Sequence, residues 1–371
     1  MDREKITVIG IGRLGICLAL SLEKKGYQVL GVDLSSEYVC QINEKVFLSD
    51  EPNVTEYLKS SKNFRATTSL KEGLEFSDVC FIVVPTNTVP DIQSYDHSIL
   101  SDLLLSINSH KVSDKHLVIN STVFPGYIKK TAYPLIKDCD HTTLSYNPEF
   151  IAQGDIIKGT INPDMVLIGE GSRAAGDILE SIYKNMCESS PFIARMSIES
   201  AEITKLAVNC FITTKIAFAN LIGDIAEESP GADKEAILYA IGKDQRIGSR
   251  NLKSGYGFGG PCFPRDNRAL GNYATLVGID PLLFRTTDQV NCLHAEFMAH
   301  QLMRQDLNEY LFEDVCYKPN CPVPIIENSQ KLIIAKKIAE KNKKVKIKAK
   351  ANVLEKVKEE YGEIFDYILE S

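Results

Sequence analysis

The 371-residue sequence predicts an α/β protein in three parts. These are an N-terminal doubly wound sheet over residues 1–200, a central domain built on one long helix over 201–300, and a truncated C-terminal α/β domain over 301–371. Three observations carry this. Short β-branched runs alternate with helical patterns through the first half, as in a parallel sheet with crossover helices. An unbroken helical pattern then runs from Ala201 to about Glu228. A final strand, turn, helix and strand close the chain.

The first element is Ile6-Thr7-Val8-Ile9, which ends in Gly10-Ile11-Gly12-Arg13-Leu14-Gly15. A helical pattern follows (Ile16, Leu18, Ala19, Leu20, Leu22), closes at Gly26, and a second strand, Gln28–Val32, delivers Asp33. Strand, glycine turn, helix, strand and acid in this order form the dinucleotide-binding fingerprint of a Rossmann-type domain. Gly10 makes the turn, Gly12 admits the pyrophosphate, and Gly15 lets helix and strand pack closely. The helix N-terminus offers partial positive charge to the phosphates. Asp33 is placed to accept from the ribose hydroxyls and to repel a 2′-phosphate, so the expected cofactor is NAD and not NADP.

Asp78–Thr86 reads as a buried parallel strand leaving through Pro85, and His116–Thr122 as another. Ligands of open α/β sheets bind outside the carboxyl ends of such strands, so Pro85, Thr86, Ser121 and Thr122 are cofactor-site candidates. Each hydroxyl is also an ordinary turn former. Ser145-Tyr146-Asn147-Pro148-Glu149-Phe150-Ile151-Ala152-Gln153-Gly154 follows one more strand-like stretch, and Glu149 there also suits a helix start. On the long helix, Lys205 and Asn209 stand four apart on one face, where a cation and an amide can stabilise an alkoxide. The alternative for this pair is a solvated lysine with an unrelated neighbour. The same helix carries an apolar face, Leu206, Phe211, Ile216, Phe218, Leu221 and Ile225, which suggests a spine and a homodimer interface.

The most informative stretch is Gly255-Tyr256-Gly257-Phe258-Gly259-Gly260-Pro261-Cys262-Phe263-Pro264-Arg265-Asp266. Glycines let backbone approach a ligand, and the two prolines limit the loop's freedom. A thiol held so, near cationic side chains, suits nucleophilic attack; a tight turn with an inert cysteine is the alternative.

Composition bounds the partners. A hydrophobic content of 44% and a charged content of 25% are those of an ordinary globular protein, and a net charge of −7 argues against a nucleic-acid partner. Ten cysteines lack C-x-x-C spacing, a reduced, cytoplasmic pattern with no metal site. The chain enters a strand directly after Lys5, leaving no room for a signal peptide, and no apolar run is expected to be long enough to cross a membrane.

Taken together, these residues resemble the nucleotide-sugar 6-dehydrogenases, the family of UDP-glucose and GDP-mannose dehydrogenases, over residues 5–330. The resemblance rests on the G-F-G-G-x-C-F-P-[KR]-D loop, N-P-E-F, K-x-x-x-N, and the stretch holding Asp244, Arg246, Ile247 and Gly248. It implies oxidation of a primary alcohol at sugar C6 to a carboxylate, with two NAD molecules and no metal. By the same resemblance Cys262 forms a thiohemiacetal and then a thioester. Lys205 and Asn209 stabilise oxyanions, Thr122 and Asp266 orient water and assist proton transfer, and Glu149 lies near the reacting carbon. Phe150, Phe258, Gly259, Gly260 and Arg246 belong to the substrate pocket. UDP-glucose is the default substrate, because N-P-E-F fits the UDP-glucose and GDP-mannose branches better than the N-acetylhexosamine branches.

Two departures stand out. Where relatives carry a second glutamate implicated in thioester hydrolysis, this chain has Gln153, whose amide can hold a water but cannot deprotonate it. After Val315–Asn320, many relatives carry an acid and an arginine; this chain has Pro322–Ser329 without arginine, and Lys343–Lys348 reads as a solvated edge strand. Two other readings remain open at this stage. A two-electron β-hydroxyacid dehydrogenase lacks the cysteine loop, and a catalytically impaired NAD and nucleotide-sugar binder is motivated by Gln153 and the shortened C-terminus.

Overall fold

The computed structural model describes residues 5–89, 94–151 and 154–370. The chain divides into two compact units, Met1–Lys205 and Leu206–Ser371, so the parts expected as central and C-terminal domains share one unit.

The first unit is built on eight strands: β1 Lys5–Ile9, β2 Gln28–Val32, β3 Phe64–Thr67, β4 Val79–Ile82, β5 His116–Ile119, β6 Thr143–Tyr146, β7 Met165–Gly169 and β8 Phe192–Met196. Their order is β8-β7-β6-β5-β4-β1-β2-β3. The six from β3 to β6 are mutually parallel, in the doubly wound order 3-2-1-4-5-6. β7 runs antiparallel to β6 at Tyr146 and Gly169, and β8 is parallel to β7.

Near-continuous apolar runs form these strands because helices cover both faces. On one face Ile6, Val8, Ile16, Leu20 and Phe81 pack together; on the other Ile9, Val32, Ile82, Leu104, Leu117 and Ile119 do. Strand order reverses between β1 and β4, which opens a ligand crevice at their carboxyl ends. Two runs pair over less of their length than the sequence suggests. The 78–86 run stops at Ile82 and the 116–122 run at Ile119. Beyond them the Ser121 hydroxyl takes over, accepting from Val84 N at 3.1 Å and donating to Val84 O at 2.6 Å.

The long helix spans Ile198–Glu227, 30 residues. It is long and apolar enough to cross a membrane by length and composition, which corrects the expectation that no such run exists. It nevertheless carries buried polar residues, Glu202, Lys205, Asn209, Thr213 and Asn220. Glu202 accepts from the backbone N–H groups of Gly126 at 2.6 Å and Ile128 at 3.0 Å. One side of this helix is therefore packed against protein, its buried polar groups given partners there.

In the second unit the long helix is followed by helices Lys234–Lys243, Phe263–Leu276 and Leu282–Met303. A parallel sheet comes next, β9 Tyr310–Glu313, β10 Val345–Ala349 and β11 Asp366–Leu369, with helices Gln330–Ala339 and Ala351–Tyr361 between its strands. The lysine-rich segment, expected at an edge, is the central strand β10, paired to both neighbours. Alternation explains this: Val345, Ile347 and Ala349 enter the core, while Lys346 and Lys348 stand on the other face. Lys343, Lys344, Lys346 and Lys348 pair with Asp306, Asp366, Glu309 and Glu313, neutralising the run in place.

Candidate active site

Gly10 takes φ +87°, and a Cβ there would lie 2.4 Å from Val83 O. A Cβ on Gly15 would lie 1.9 Å from Gly10 O, so close backbone packing requires both glycines. Gly12 differs, because a Cβ there would meet nothing within 4 Å. It caps helix Arg13–Lys24, whose N-terminus has no side-chain cap. An open backbone surface before uncapped N–H groups fits a pyrophosphate. Ile11 and Gly15 are buried, Leu14 half-buried and Arg13 exposed. Asp33 follows β2, its carboxylate accepting from Ser35 N at 3.1 Å, so it stands at the ribose position of the fingerprint. These residues fit NAD.

Of the candidates at the ends of β4 and β5, Pro85 is exposed. Thr86 is buried and donates to Thr122 O at 2.8 Å, while Ser121 is spent on Val84 as described. Thr122 itself is half-buried. Two of the three hydroxyls thus stitch the crevice floor together.

Beyond β6, Asn147 fixes the segment that carries Glu149. Its Nδ2 donates to Leu167 O at 2.9 Å, and its Oδ1 accepts from Tyr183 OH at 2.5 Å. Tyr183 OH also lies 3.2 Å from Glu149 Oε1, and Asn120 Nδ2 lies 3.5 Å from the same oxygen. Burial pushes the Glu149 carboxyl up to about 7, against the opposing pull of Tyr183 and Lys205. An acid tuned to that range can give and take a proton near neutral pH. Lys205 Nζ donates to Glu149 O at 2.6 Å and sits 4.5 Å from the centre of the Phe150 ring. Lys205, Glu149 and Phe150 therefore form one cluster. Gln153 lies outside the described residues.

In the second unit, Cys262 is exposed and occupies the N-cap position of helix Phe263–Leu276. Negative charge on a sulfur there faces the positive end of the helix dipole. One turn in, Asp266 is 1% exposed. It accepts from Asn209 Nδ2 at 2.7 Å and pairs with Arg265 Nε at 3.2 Å. Phe258, Gly259 and Gly260 are buried. A Cβ on Gly259 would lie 2.2 Å from Asn328 O, and Gly260 takes φ +79° with Tyr317 Cδ2 2.5 Å from its would-be Cβ. Arg246 is exposed and paired with Asp244 at 2.6 Å.

Sequence reasoning missed the residues that fix the loop. Asn291 accepts from Phe258 N at 2.9 Å and donates to Phe258 O at 3.0 Å, and Gln330 donates to Phe258 O at 2.9 Å. Asn220 accepts from Gly255 N at 2.9 Å, and His294 contacts Gly255 O at 2.6 Å. A signal did exist. Asn209, Thr213, Asn220 and Asp224 recur at helical spacing along the long helix, which places Asn220 in a polar row.

A doubly wound sheet with an open glycine turn at its switch point, and a separate cysteine loop, define an NAD-dependent dehydrogenase class of chain. The chain belongs to the UDP-glucose/GDP-mannose dehydrogenase family, whose NAD-binding domain matches residues 4–187 and whose central domain matches residues 199–292. NAD is accordingly the cofactor. A UDP-glucose 6-dehydrogenase of Bacillus subtilis is 33% identical over 297 residues, covering 77% of this chain and 65% of that protein. A GDP-mannose 6-dehydrogenase of Pseudomonas aeruginosa is 32% identical, covering 75% of this chain and 66% of that protein. A UDP-glucose dehydrogenase structure from Pyrobaculum islandicum has a TM-score of 0.87 at 25% identity, covering 98% of this chain and 86% of that one. The chain thus spans about two thirds of the length of these two curated relatives.

Proposed function

We propose that this chain oxidises the C6 alcohol of a nucleotide sugar to the carboxylate, with UDP-glucose as substrate. The observation that carries this is the exposed Cys262 at a helix N-terminus, one turn ahead of a buried Asp266–Asn209 pair. NAD supplies the hydride acceptor, one molecule for each of two oxidations. The chain's own residues do the rest. Lys205, anchored on the Glu149 carbonyl, brings a cation to the developing C6 oxyanion, and Glu149 exchanges a proton near neutral pH. The Cys262 thiol adds to the first-formed aldehyde, its proton passing to the carbonyl oxygen, to give a thiohemiacetal. Loss of a second hydride leaves a thioester. Water then cleaves the carbon–sulfur bond, releasing the carboxylate and restoring the thiol.

Gln153 cannot act as the base for that last step, so Glu149 or Asp266 takes the role. The protein acts in the cytoplasm. Phe211, Phe218, Leu221 and Ile225 are exposed along one stripe of the long helix, which supports a homodimer.

The test is to mix the protein with excess NAD and UDP-glucose, or GDP-mannose in parallel, and count NADH per sugar consumed. Two NADH over many turnovers with UDP-glucose is the expected result. Preference for GDP-mannose would overturn the substrate, and a single burst with a sugar adduct on Cys262 would overturn the hydrolysis. Cys262→Ala removes the second oxidation in this reading, leaving at most one NADH per sugar; two NADH per sugar at unchanged turnover would exclude the thioester.

A further inference from the structure

Past β5 the backbone turns across the carboxyl end of the sheet, and side chains from distant elements hold that turn at successive points. Thr86 donates to Thr122 O at 2.8 Å. Phe124 N donates to Nε2 of His97 at 3.1 Å, and the N–H groups of Gly126 and Ile128 go to Glu202. His97 precedes helix Ser98–Ser109, and Glu202 lies one turn before Lys205 on the long helix. Thr122 is therefore fixed through backbone alone. Among the described residues its hydroxyl makes no hydrogen bond, which leaves that oxygen for a ligand.

A ring nitrogen that accepts from an N–H carries a lone pair, so the His97 ring is neutral with its proton on Nδ1. Burial pushes the imidazole down to about 4, against the pull of Asp96, which keeps the lone pair available near neutral pH. The ring is also held in its plane. It stacks on Tyr127 with 4.1 Å between centroids and 13° between planes, and Tyr127 OH lies 2.9 Å from Ser101 Oγ. An acceptor fixed in this way defines where Phe124 sits, and with it Thr122 two residues back.

We propose that His97 is a positioning residue for the cofactor: by taking the Phe124 N–H, it sets the Thr122 hydroxyl where NAD meets it. Thr122 stands past the carboxyl end of β5, the neighbour of β4, where an open α/β sheet binds its ligand. The inference rests on NAD as the cofactor, and not on the sugar or the reaction proposed above.

The experiment is NAD titration of the whole chain without sugar, with amide exchange at Phe124 followed alongside. His97→Phe keeps an aromatic ring on Tyr127 and removes the acceptor. His97→Gln places an amide oxygen at a reach similar to that of Nε2. His97→Phe should speed exchange at Phe124 and weaken NAD binding about 3- to 10-fold, the worth of one hydrogen bond, while the β1 amides exchange as before. His97→Gln should recover both. Thr122→Ala should weaken NAD by a similar factor, and His97→Phe added to it should cost nothing more, since both act through one hydroxyl. A residue that only stiffens the fold would instead give additive losses.

Unchanged NAD affinity in His97→Phe or in Thr122→Ala would overturn the proposal. So would additive losses in the double variant, faster exchange throughout β1, or no recovery in His97→Gln. NAD is read without sugar, so absence of NADH formation would bear on the proposed reaction alone.

Discussion

Asn209 donates a 2.7 Å hydrogen bond to Oδ2 of Asp266, a carboxylate that is 1% exposed in the first turn of the helix begun by Cys262. A buried carboxylate needs every donor it has. Replacing Asn209 by Ala removes one and leaves Arg265 on the other oxygen. The expected cost is about 1–3 kcal/mol. Thermal unfolding of Asn209→Ala checks it, and an unchanged midpoint would mean that another group takes over.

The glycines of the first turn separate fold from binding. A Cβ on Gly15 collides with Gly10 O, whereas one on Gly12 meets open space, and Gly12 has a negative φ of −60°. Gly15→Ala should therefore destabilise the first unit by roughly 1–3 kcal/mol or more. Gly12→Ala should change stability by only a few tenths of a kcal/mol. It should nevertheless weaken NAD binding at least about tenfold, because the added methyl stands where the backbone meets the pyrophosphate. Calorimetric unfolding and NAD titration of both variants distinguish the two roles.

Glu149 predicts a pH signature. Its carboxyl is raised from the ordinary range to about 7, chiefly by burial. The folded state therefore binds this proton more readily than the unfolded chain. Its contribution to stability is full below the ordinary carboxylate pKa and is lost as pH rises through about 7. Glu149→Gln, neutral throughout, should gain on the parent protein across that window. Its oxidation rate should fall on the order of 10²–10⁴-fold, and the acid limb of the rate profile should disappear. Matching pH–stability curves would show that Glu149 does not titrate there.

What could be read from the sequence was what is local. Gly10 to Asp33 lie within one strand–turn–helix–strand unit, and Cys262 lies inside its own motif, so neighbouring residues identify them. The loop's supports were hidden because their partners are distant in sequence. Asn220 reaches Gly255 across 35 positions, Asn291 reaches Phe258 across 33, and Gln330 reaches Phe258 across 72. Nothing beside Asn291 marks it as a loop anchor; only the fold pairs it with Phe258. The lysines of β10 misled for a related reason. Their charge suggested an edge, but the acids that neutralise them, Glu309 and Glu313 among them, flank or belong to a strand more than thirty residues earlier.

Gly260 gives the sharpest test of the loop geometry. It holds φ +79°, and its N–H donates to Glu327 O at 2.9 Å. A Cβ there would approach Tyr317 Cδ2 to 2.5 Å. Gly260→Ala therefore incurs two costs, roughly 1–2 kcal/mol for the left-handed backbone and a further amount for the ring contact. Tyr317→Ala in the same chain removes the second cost and leaves the first. A double-mutant cycle on unfolding free energies should then show favourable coupling of about 0.5–3 kcal/mol, the range seen for residues in contact. Strict additivity would mean that the ring swings aside freely. Because the ring packs next to the buried glycines that lead to Cys262, coupling in stability should be matched by coupling in the rate of Cys262 alkylation.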